Sequence, residues 1–540
     1  MKMKMQIVIP MSGYGERFRR EGYRIPKPLI IVEGKPIISH VIDLFPGEKN
    51  FFFICNKDHI KNKKFNLVKI IKKYAPTGKI IPIESHKLGP VHAINQSYKF
   101  LDPNLPVLVN YCDFACVWNW KLFKKKILNN SFDGAIPAYK DFHPHSSGKT
   151  NYAYIKEKKL LLKDIQEKKP YTKNKQNEYA SSGAYFFSSA KLMYEAFLFL
   201  KKNNLHIKNE FYVSLAYKYL LKKNKKTLIY PLKYFMQWGT PQDLEEYEYY
   251  SSIFKNSLKR KKNTNHSIGT NIIPMAGLGQ RFKNEKYKVI KPLIPISKKP
   301  MCLRAAQSLP KSSKNLFVLR SQILNNSNIL YILKNNLKNS LFKIIHKKTA
   351  GQASTVKIAL DLIKKDQLFY PPPYTIGTCD SSIIYNESKY HKLIKNDKTD
   401  VIIWVKKKYP YAFKNPNMYG WIRNEINKPI KISIKKPFKI INKKTDSIIT
   451  GIFTFKNLEH ILDSIDNLIT KNKKINGEYY LDSCVDFFVS SGLNCKIMDV
   501  DSYISWGTPD ELKTFNYWND CFNVWKSHPY CTKKSIFNKI

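Results

Sequence analysis

Pro10-Met11-Ser12-Gly13-Tyr14-Gly15-Glu16-Arg17-Phe18, with Lys27-Pro28-Leu29 behind it, returns later as Pro274-Met275-Ala276-Gly277-Leu278-Gly279-Gln280-Arg281-Phe282 with Lys291-Pro292-Leu293. The copies keep a constant separation of 264 positions, from Gly13 and Gly277 through Arg17 and Arg281 to Lys27 and Lys291. Fixed spacing is expected where loop geometry must bring an arginine and a lysine to one phosphate group. Each loop follows a short apolar run, Gln6 to Pro10 or Asn271 to Pro274, that reads as a buried strand. Two phosphate-handling loops imply two nucleotide sites, or one working site and its descendant.

Beyond each loop, strands and helices are predicted to alternate. In the first half, Lys35 to Phe45 has helical spacing, Asn50 to Cys55 reads as a strand and Ile60 to Tyr74 as a basic amphipathic helix. Lys79 to Glu84 is a third strand, Gly89 to Leu101 a helix, and Pro106 to Cys112 a fourth strand ending at Asp113. Pro300 to Leu309, Asn315 to Leu319, Lys343 to His346, Gly351 to Leu362 and Tyr374 to Cys379 repeat that order. The expected class is α/β, two tandem Rossmann-like domains, each a mostly parallel sheet flanked by helices. Ligands of such sheets sit at the carboxyl ends of the strands, where the glycine loop and Asp113 both fall.

The repeat runs on. Ser182-Gly183-Ala184 answers Thr450-Gly451-Ile452, Glu210-Phe211-Tyr212 answers Glu478-Tyr479-Tyr480, and Trp238-Gly239-Thr240-Pro241 answers Trp506-Gly507-Thr508-Pro509. The expected boundaries are a first domain over 1–254, a basic polar linker over 255–267, a second domain over 268–517 and a tail over 518–540. Composition agrees with two large globular domains, at 540 residues, 43% hydrophobic and 14% aromatic.

The formal net charge is +52. Its lysines are spread along the chain, and no arginine-rich arm, zinc module or base-stacking motif accompanies them, so a nucleic-acid partner is not expected. Weak association with anionic surfaces and attraction of anionic substrates remain as consequences of the charge. Nine cysteines, often inside apolar runs as at Cys55, suit reduced, buried thiols and a cytoplasmic protein. Cys112 and Cys116 read as structural, and His143-Pro144-His145 as a polar turn. No apolar run approaches the roughly 20 residues of a membrane helix.

Gly13, Gly15, Gly277 and Gly279 free backbone N–H groups to approach phosphate oxygens. Arg17 and Arg281 supply forked, permanently charged donors, and Lys27 and Lys291 a second cation. Such cations neutralise charge in phosphoryl or nucleotidyl transfer, which asks little covalent chemistry of the protein. The loops lack the third glycine of the dinucleotide fingerprint and the Gly-Lys-Ser/Thr of a P-loop.

Gly-x-Gly-x-Arg with Lys-Pro-Leu downstream, present twice, resembles the sugar nucleotidyltransferases, the pyrophosphorylase-type family. The resemblance implies transfer of a nucleoside monophosphate from a triphosphate to a sugar phosphate or similar acceptor, with release of pyrophosphate. An expected setting is capsular or other surface polysaccharide synthesis. It implies catalytic roles for Arg17, Lys27, Arg281 and Lys291, and base contacts at Gly89, Gly351 and Gln352. It places Lys168, Gly183 and Glu210, with Lys435, Gly451 and Glu478, on the acceptor side, and Mg²⁺ on Asp113 and Asp380. Mg²⁺ prefers one or two carboxylates plus phosphate oxygens, which agrees.

Two departures are visible. Many members carry a second metal-binding Asp two residues before the late Gly-Thr, where this chain has Gln237 and Ser505. The halves also differ from each other: Glu167 corresponds to Ile434, and Ser214 to Asp482. The phosphate apparatus is whole in both halves while the acceptor side has diverged, so the halves use different acceptors or one has lost turnover. A nucleotide-sugar-dependent glycosyltransferase and a non-catalytic nucleotide binder stand as alternatives.

Overall fold

The computed structural model describes residues 4–148, 152–259, 267–325, 328–424 and 430–529. The chain forms two compact units. The first joins residues up to Glu248 with the segment beginning at Tyr517, and the second runs Tyr249–Asn516.

In the first unit, Phe51–Asn56 is buried throughout, as a Phe-Phe-Phe-Ile-Cys run between parallel neighbours should be. It pairs in parallel with Gln6–Met11 on one side and with the edge strand Lys79–Ile83 on the other. Gln6–Met11 in turn pairs in parallel with Val107–Asn110. Beyond that point the sheet turns antiparallel, through Ala184–Phe187, which lies between Val107–Asn110 and Gly134–Tyr139. Ala153–Lys158 and Leu161–Glu167 form an antiparallel pair further out. The second unit repeats this plan. Ser340–Ile345, Lys314–Arg320, Thr270–Met275 and Tyr374–Ile376 are parallel, and the long strand Asp446–Phe455 is antiparallel to its neighbours. Each sheet is therefore mixed: a parallel part carries the loop, and beyond the antiparallel strand one further parallel pair follows, Thr227–Pro231 with Gly134–Tyr139 and Cys495–Asp499 with Val401–Lys407.

Helices cover the sheets by apolar stripes. Ala190–Lys202 buries Met193, Ala196, Phe197 and Leu200, the i, i+3, i+4, i+7 positions of one face, after Ser189 caps its first turn. Leu458–Thr470 does the same with Ile461, Leu462, Ile465 and Leu468 behind the cap Asn457. Each large apolar side chain so buried contributes about 1.5–3 kcal/mol.

Five expectations change. The helix expected over 60–74 is broken into Lys57–Lys61, a 3₁₀ turn Lys63–Phe65 and Leu67–Tyr74. Asn62 caps the turn with its side chain, and Asn66 adopts the left-handed conformation at φ 49°. The linker expected over 255–267 is helical as far as Lys259, within Pro241–Lys259, while 260–266 lie outside the described residues. The tail expected from 518 is instead helix up to Val524 and packs into the first unit. There Tyr517 donates to the Phe235 carbonyl at 2.9 Å and Phe522 stacks on His528. Conversely, Tyr249, assigned by sequence to the first domain, donates to the Tyr503 carbonyl of the second unit at 2.5 Å. Finally, His143 is buried and bound to the Phe235 carbonyl at 2.7 Å, so its turn is anchored to the interior.

Candidate active site

Each glycine loop leaves the end of its strand and enters a five-residue helix, Glu16–Arg20 or Gln280–Asn284. Gly15 (φ 68°) and Gly279 (φ 64°) take the left-handed conformation that glycine adopts without strain. A Cβ on Gly279 would lie 2.9 Å from the Cβ of Lys291, so the glycine also makes room for the lysine. Around Gly13 and Gly277 no atom lies within 4 Å of a built Cβ; these two face open space in front of the loop.

Lys27 and Lys291 each open a 3₁₀ turn and reach the aspartate after the neighbouring strand. Lys27 Nζ donates to Asp113 Oδ2 at 2.7 Å, and Lys291 Nζ to Asp380 Oδ2 at 2.5 Å. Burial alone would depress both ammonium pKa values. The facing carboxylate outweighs it, and both stand above the ordinary lysine value, so both stay charged near neutrality. The late Trp-Gly-Thr-Pro motif holds this aspartate. Trp238 N donates to the Asp113 carbonyl and Trp506 N to that of Asp380, both at 2.8 Å. A Cβ on Gly239 would lie 3.1 Å from Asp113 Oδ2. Sequence alone showed the motif repeating but not this task.

Two cavities of the first unit meet at the Lys27–Asp113 pair. One, of about 470 Å³, is lined by the glycine loop with Lys87, Gly89 and Glu210. The other, of about 360 Å³, is lined by Arg17, Tyr152, Glu167, Lys168, Gly183 and Asp243. Lys27, Asp113, Gly15 and Tyr212 border both. Arg17, expected at the phosphates, thus lines the second cavity, and Glu210, expected on the acceptor side, lines the first. In the second unit a cavity of about 540 Å³ brings together the loop, Arg281, Lys291, Gly351, Gln352, Asp380 and Glu478.

Gly89 and Gly351 have a structural reason beyond any contact with a base. Both have positive φ (83° and 124°), and a Cβ on them would lie 2.8 Å from Phe211 N or 2.6 Å from Tyr479 N. The segment bearing Glu210 or Glu478 crosses there backbone to backbone, with Phe211 N donating to the Leu88 carbonyl and Tyr479 N to that of Ala350. Gly183 (φ 96°) accepts at its carbonyl from Tyr111 N, beside Asp113, and Gly451 (φ 77°) lies against Thr378, beside Cys379 and Asp380.

Lys168 and Lys435 are both in the left-handed region, at φ 59° and 54°, where a branched or long side chain is uncommon. Each is pinned by its own N–H, to Tyr152 O at 2.9 Å and Tyr419 O at 3.1 Å. The same left-handed lysine therefore stands at the matching position of both units. Lys168 donates to Tyr212, whose hydroxyl donates to Glu210. Lys435 donates to the Met418 carbonyl and lies over the Tyr480 ring.

Among the described residues no group of three or more His, Cys, Asp or Glu side chains is arranged to hold a metal ion. One hard carboxylate oxygen set between two cavities suits a Mg²⁺ shared with substrate phosphates rather than an all-protein cage. Gln237 donates to Asp243, which also accepts from Thr240. Its counterpart Glu511 accepts from Tyr419 and Thr508.

No family model matches the chain. Over 109 residues it is 31% identical to the bifunctional protein GlmU of Paraburkholderia phytofirmans and to that of Paraburkholderia xenovorans, 20% of this chain and 22% of theirs. The chain therefore spans about a fifth of the length of the curated relatives it matches. Among solved structures, a nucleoside-diphosphate-sugar pyrophosphorylase from Vibrio cholerae matches 44% of this chain and 97% of its own, at 18% identity and TM-score 0.35. An inositol-1-phosphate CTP transferase from T. maritima matches 45% and 91%, at 12% identity and TM-score 0.34.

Proposed function

We propose that the protein is a nucleotidyltransferase that moves a nucleoside monophosphate from a triphosphate to a sugar phosphate or similar phosphate monoester. The observation that carries this reading is the meeting, in the first unit, of two cavities at the Lys27–Asp113 pair, one beneath the glycine loop and one beside Lys168. Such a layout suits a triphosphate on one side and an acceptor phosphate on the other.

In this reading an acceptor phosphate oxygen attacks the α-phosphorus. A new P–O bond forms, the bond to the β-phosphate oxygen breaks, and pyrophosphate leaves with its electron pair. Lys27 and Lys291 neutralise charge that builds on the α-phosphoryl oxygens, while Lys168 and Lys435 hold the acceptor phosphate. The loop N–H groups orient the β- and γ-phosphates. Asp113 and Asp380 would hold Mg²⁺, which when bound supplies further charge neutralisation at those phosphates. The product, an activated sugar or phospho-alcohol, is of the kind that surface polysaccharide assembly consumes. Among the described residues no helix is long and apolar enough to cross a membrane.

The test is pyrophosphate release by the full chain from each of the four common nucleoside triphosphates with a panel of sugar phosphates and phospho-alcohols. Release that needs one triphosphate and one acceptor supports the reading. Nucleotide binding without release for any pair would overturn it.

A further inference from the structure

The two units disagree at three positions that the fold brings together. In the first, Ala153 lies directly across the strand pair from Glu167, and Ser214 donates to Glu167 Oε2 at 2.6 Å from the 3₁₀ turn Val213–Ala216. In the second, Gly420 lies across from Ile434, and Asp482 stands on the matching turn Leu481–Cys484. Cross-strand register therefore makes Ala153 and Gly420 equivalent, Glu167 and Ile434 equivalent, and Ser214 and Asp482 equivalent.

Each trio contains one carboxylate and room for only one. Where the strand carries Glu167, the turn has the small Ser214 as its hydrogen-bond partner. Where the turn carries Asp482, the strand has apolar Ile434, and residue 420 is a glycine. A Cβ on Gly420 would lie 2.4 Å from Asp482 Oδ2, a distance no methyl group tolerates. Ala153 in the first unit would thus exclude an aspartate on the turn, and Gly420 is what admits one in the second. A half drifting into disuse would lose its carboxylate. This one carries a carboxylate at a different place, with a glycine where a side chain would block it.

The surroundings are kept as well. The strained Lys435 still follows position 434, as Lys168 follows Glu167. Lys435 is close enough to Asp482, Arg281 and Asp380 for each to act on its charge.

We propose that Asp482 is the acceptor-binding carboxylate of the second unit, replacing Glu167 from the facing turn, so that the two units accept different hydroxyl-bearing phosphate monoesters. This rests on the nucleotidyltransferase reading above. A carboxylate beside a phosphate-binding lysine accepts hydrogen bonds from a hydroxyl of the esterified alcohol. Moving it from strand to turn, on a side chain one methylene shorter, changes which hydroxyl can reach it. Acceptors that fit one unit then leave the carboxylate of the other unpaired, which discriminates strongly.

The experiment uses the full chain with Lys27→Ala to silence the first unit, and glucose 1-phosphate, inositol 1-phosphate and phosphocholine among the acceptors. Asp482→Asn is expected to raise the acceptor KM by about 10- to 100-fold while the triphosphate KM changes less than about twofold. The triple exchange Gly420→Ala, Ile434→Glu, Asp482→Ser is expected to shift the acceptor order toward that of the chain carrying Lys291→Ala, in which only the first unit turns over. Circular dichroism and triphosphate affinity of each variant separate misfolding from loss of acceptor binding; a misfolded Asp482→Asn is replaced by Asp482→Glu, expected to raise acceptor KM alone. Unchanged acceptor KM, or equal loss for both substrates, would overturn the proposal, as would absence of turnover with Lys27→Ala. If the unsubstituted chain releases no pyrophosphate from any pair, the underlying reading fails first.

Discussion

The loop-bearing side and the acceptor side of these units have followed different rules. On the loop side the spacing of glycine, arginine and lysine is identical in both copies, and the Lys–Asp pair forms at 2.7 and 2.5 Å. On the acceptor side the same three-residue space is solved by two different carboxylates. Phosphate geometry is common to every nucleoside triphosphate, so little there can vary. In the proposed reading an acceptor differs from molecule to molecule, so the wall that would read it can be rebuilt as long as one carboxylate is kept.

The comparison is most directly broken at the lysines. Lys27→Ala and Lys291→Ala are each expected to lower pyrophosphate release from their own unit by about 10²- to 10⁴-fold, and the double variant to abolish it. If Lys27→Ala alone removed all release, the second unit would be a nucleotide binder and the symmetry of the loop side would be ancestral only.

Next come the crossing glycines. Gly351→Ala places a Cβ 2.6 Å from Tyr479 N at a φ of 124°, and is expected to lower stability by about 2–4 kcal/mol in urea titration. Gly277→Ala meets no atom within 4 Å and is expected to change stability by less than about 0.5 kcal/mol while weakening triphosphate binding. Equal effects on stability would mean the two glycines serve the same purpose.

The smallest effect concerns pH, and its sign differs between the units. Burial pushes the Asp482 carboxyl up to about 6. Its folded value lies above its unfolded one, so its contribution is fully present below about pH 4 and is lost as pH rises through 6. Asp482→Asn should therefore melt higher than the parent above pH 6, with the difference vanishing by about pH 4. In the first unit, burial holds His40 and His528 down at about 4, so stability is full above pH 6.5 and falls as pH drops toward 4. Calorimetry across pH 4–7 should show acidification lowering the transition of the first unit; no change on replacing His40 and His528 by Asn would refute the assignment.

Much of the loop side was legible in sequence because it is local: a strand, two glycines, an arginine and a lysine within some twenty residues. Asp113 and Asp380 were legible because each stands just past the fourth strand of its half, Val107–Asn110 or Tyr374–Ile376. The acceptor side was not. Glu167 to Ile434 and Ser214 to Asp482 read along the chain as two unrelated substitutions, and only the register that seats residue 153 opposite 167 turns them into one exchange. The strained backbone of Lys168 and Lys435 leaves no trace in residue type, since a lysine takes a left-handed φ only when its neighbours impose it. The break at Asn62 and Asn66 was in principle visible, as asparagine caps and left-handed turns are common, but the apolar period across 60–74 masked it. Helix Pro241–Lys259 ran past the predicted boundary because a basic, polar surface face resembles a tether when no partner is in view.

The segment from Tyr517 has a consequence for biosynthesis. The first unit is finished by residues that leave the ribosome some 269 positions after Glu248. At about 5–20 residues per second, that is a wait of roughly 15–50 s in which most of its sheet exists without Trp518, Phe522 and His528 against it. A nascent chain stalled before residue 517 should be cut by protease within its N-terminal portion, and release of the finished polypeptide should confer resistance.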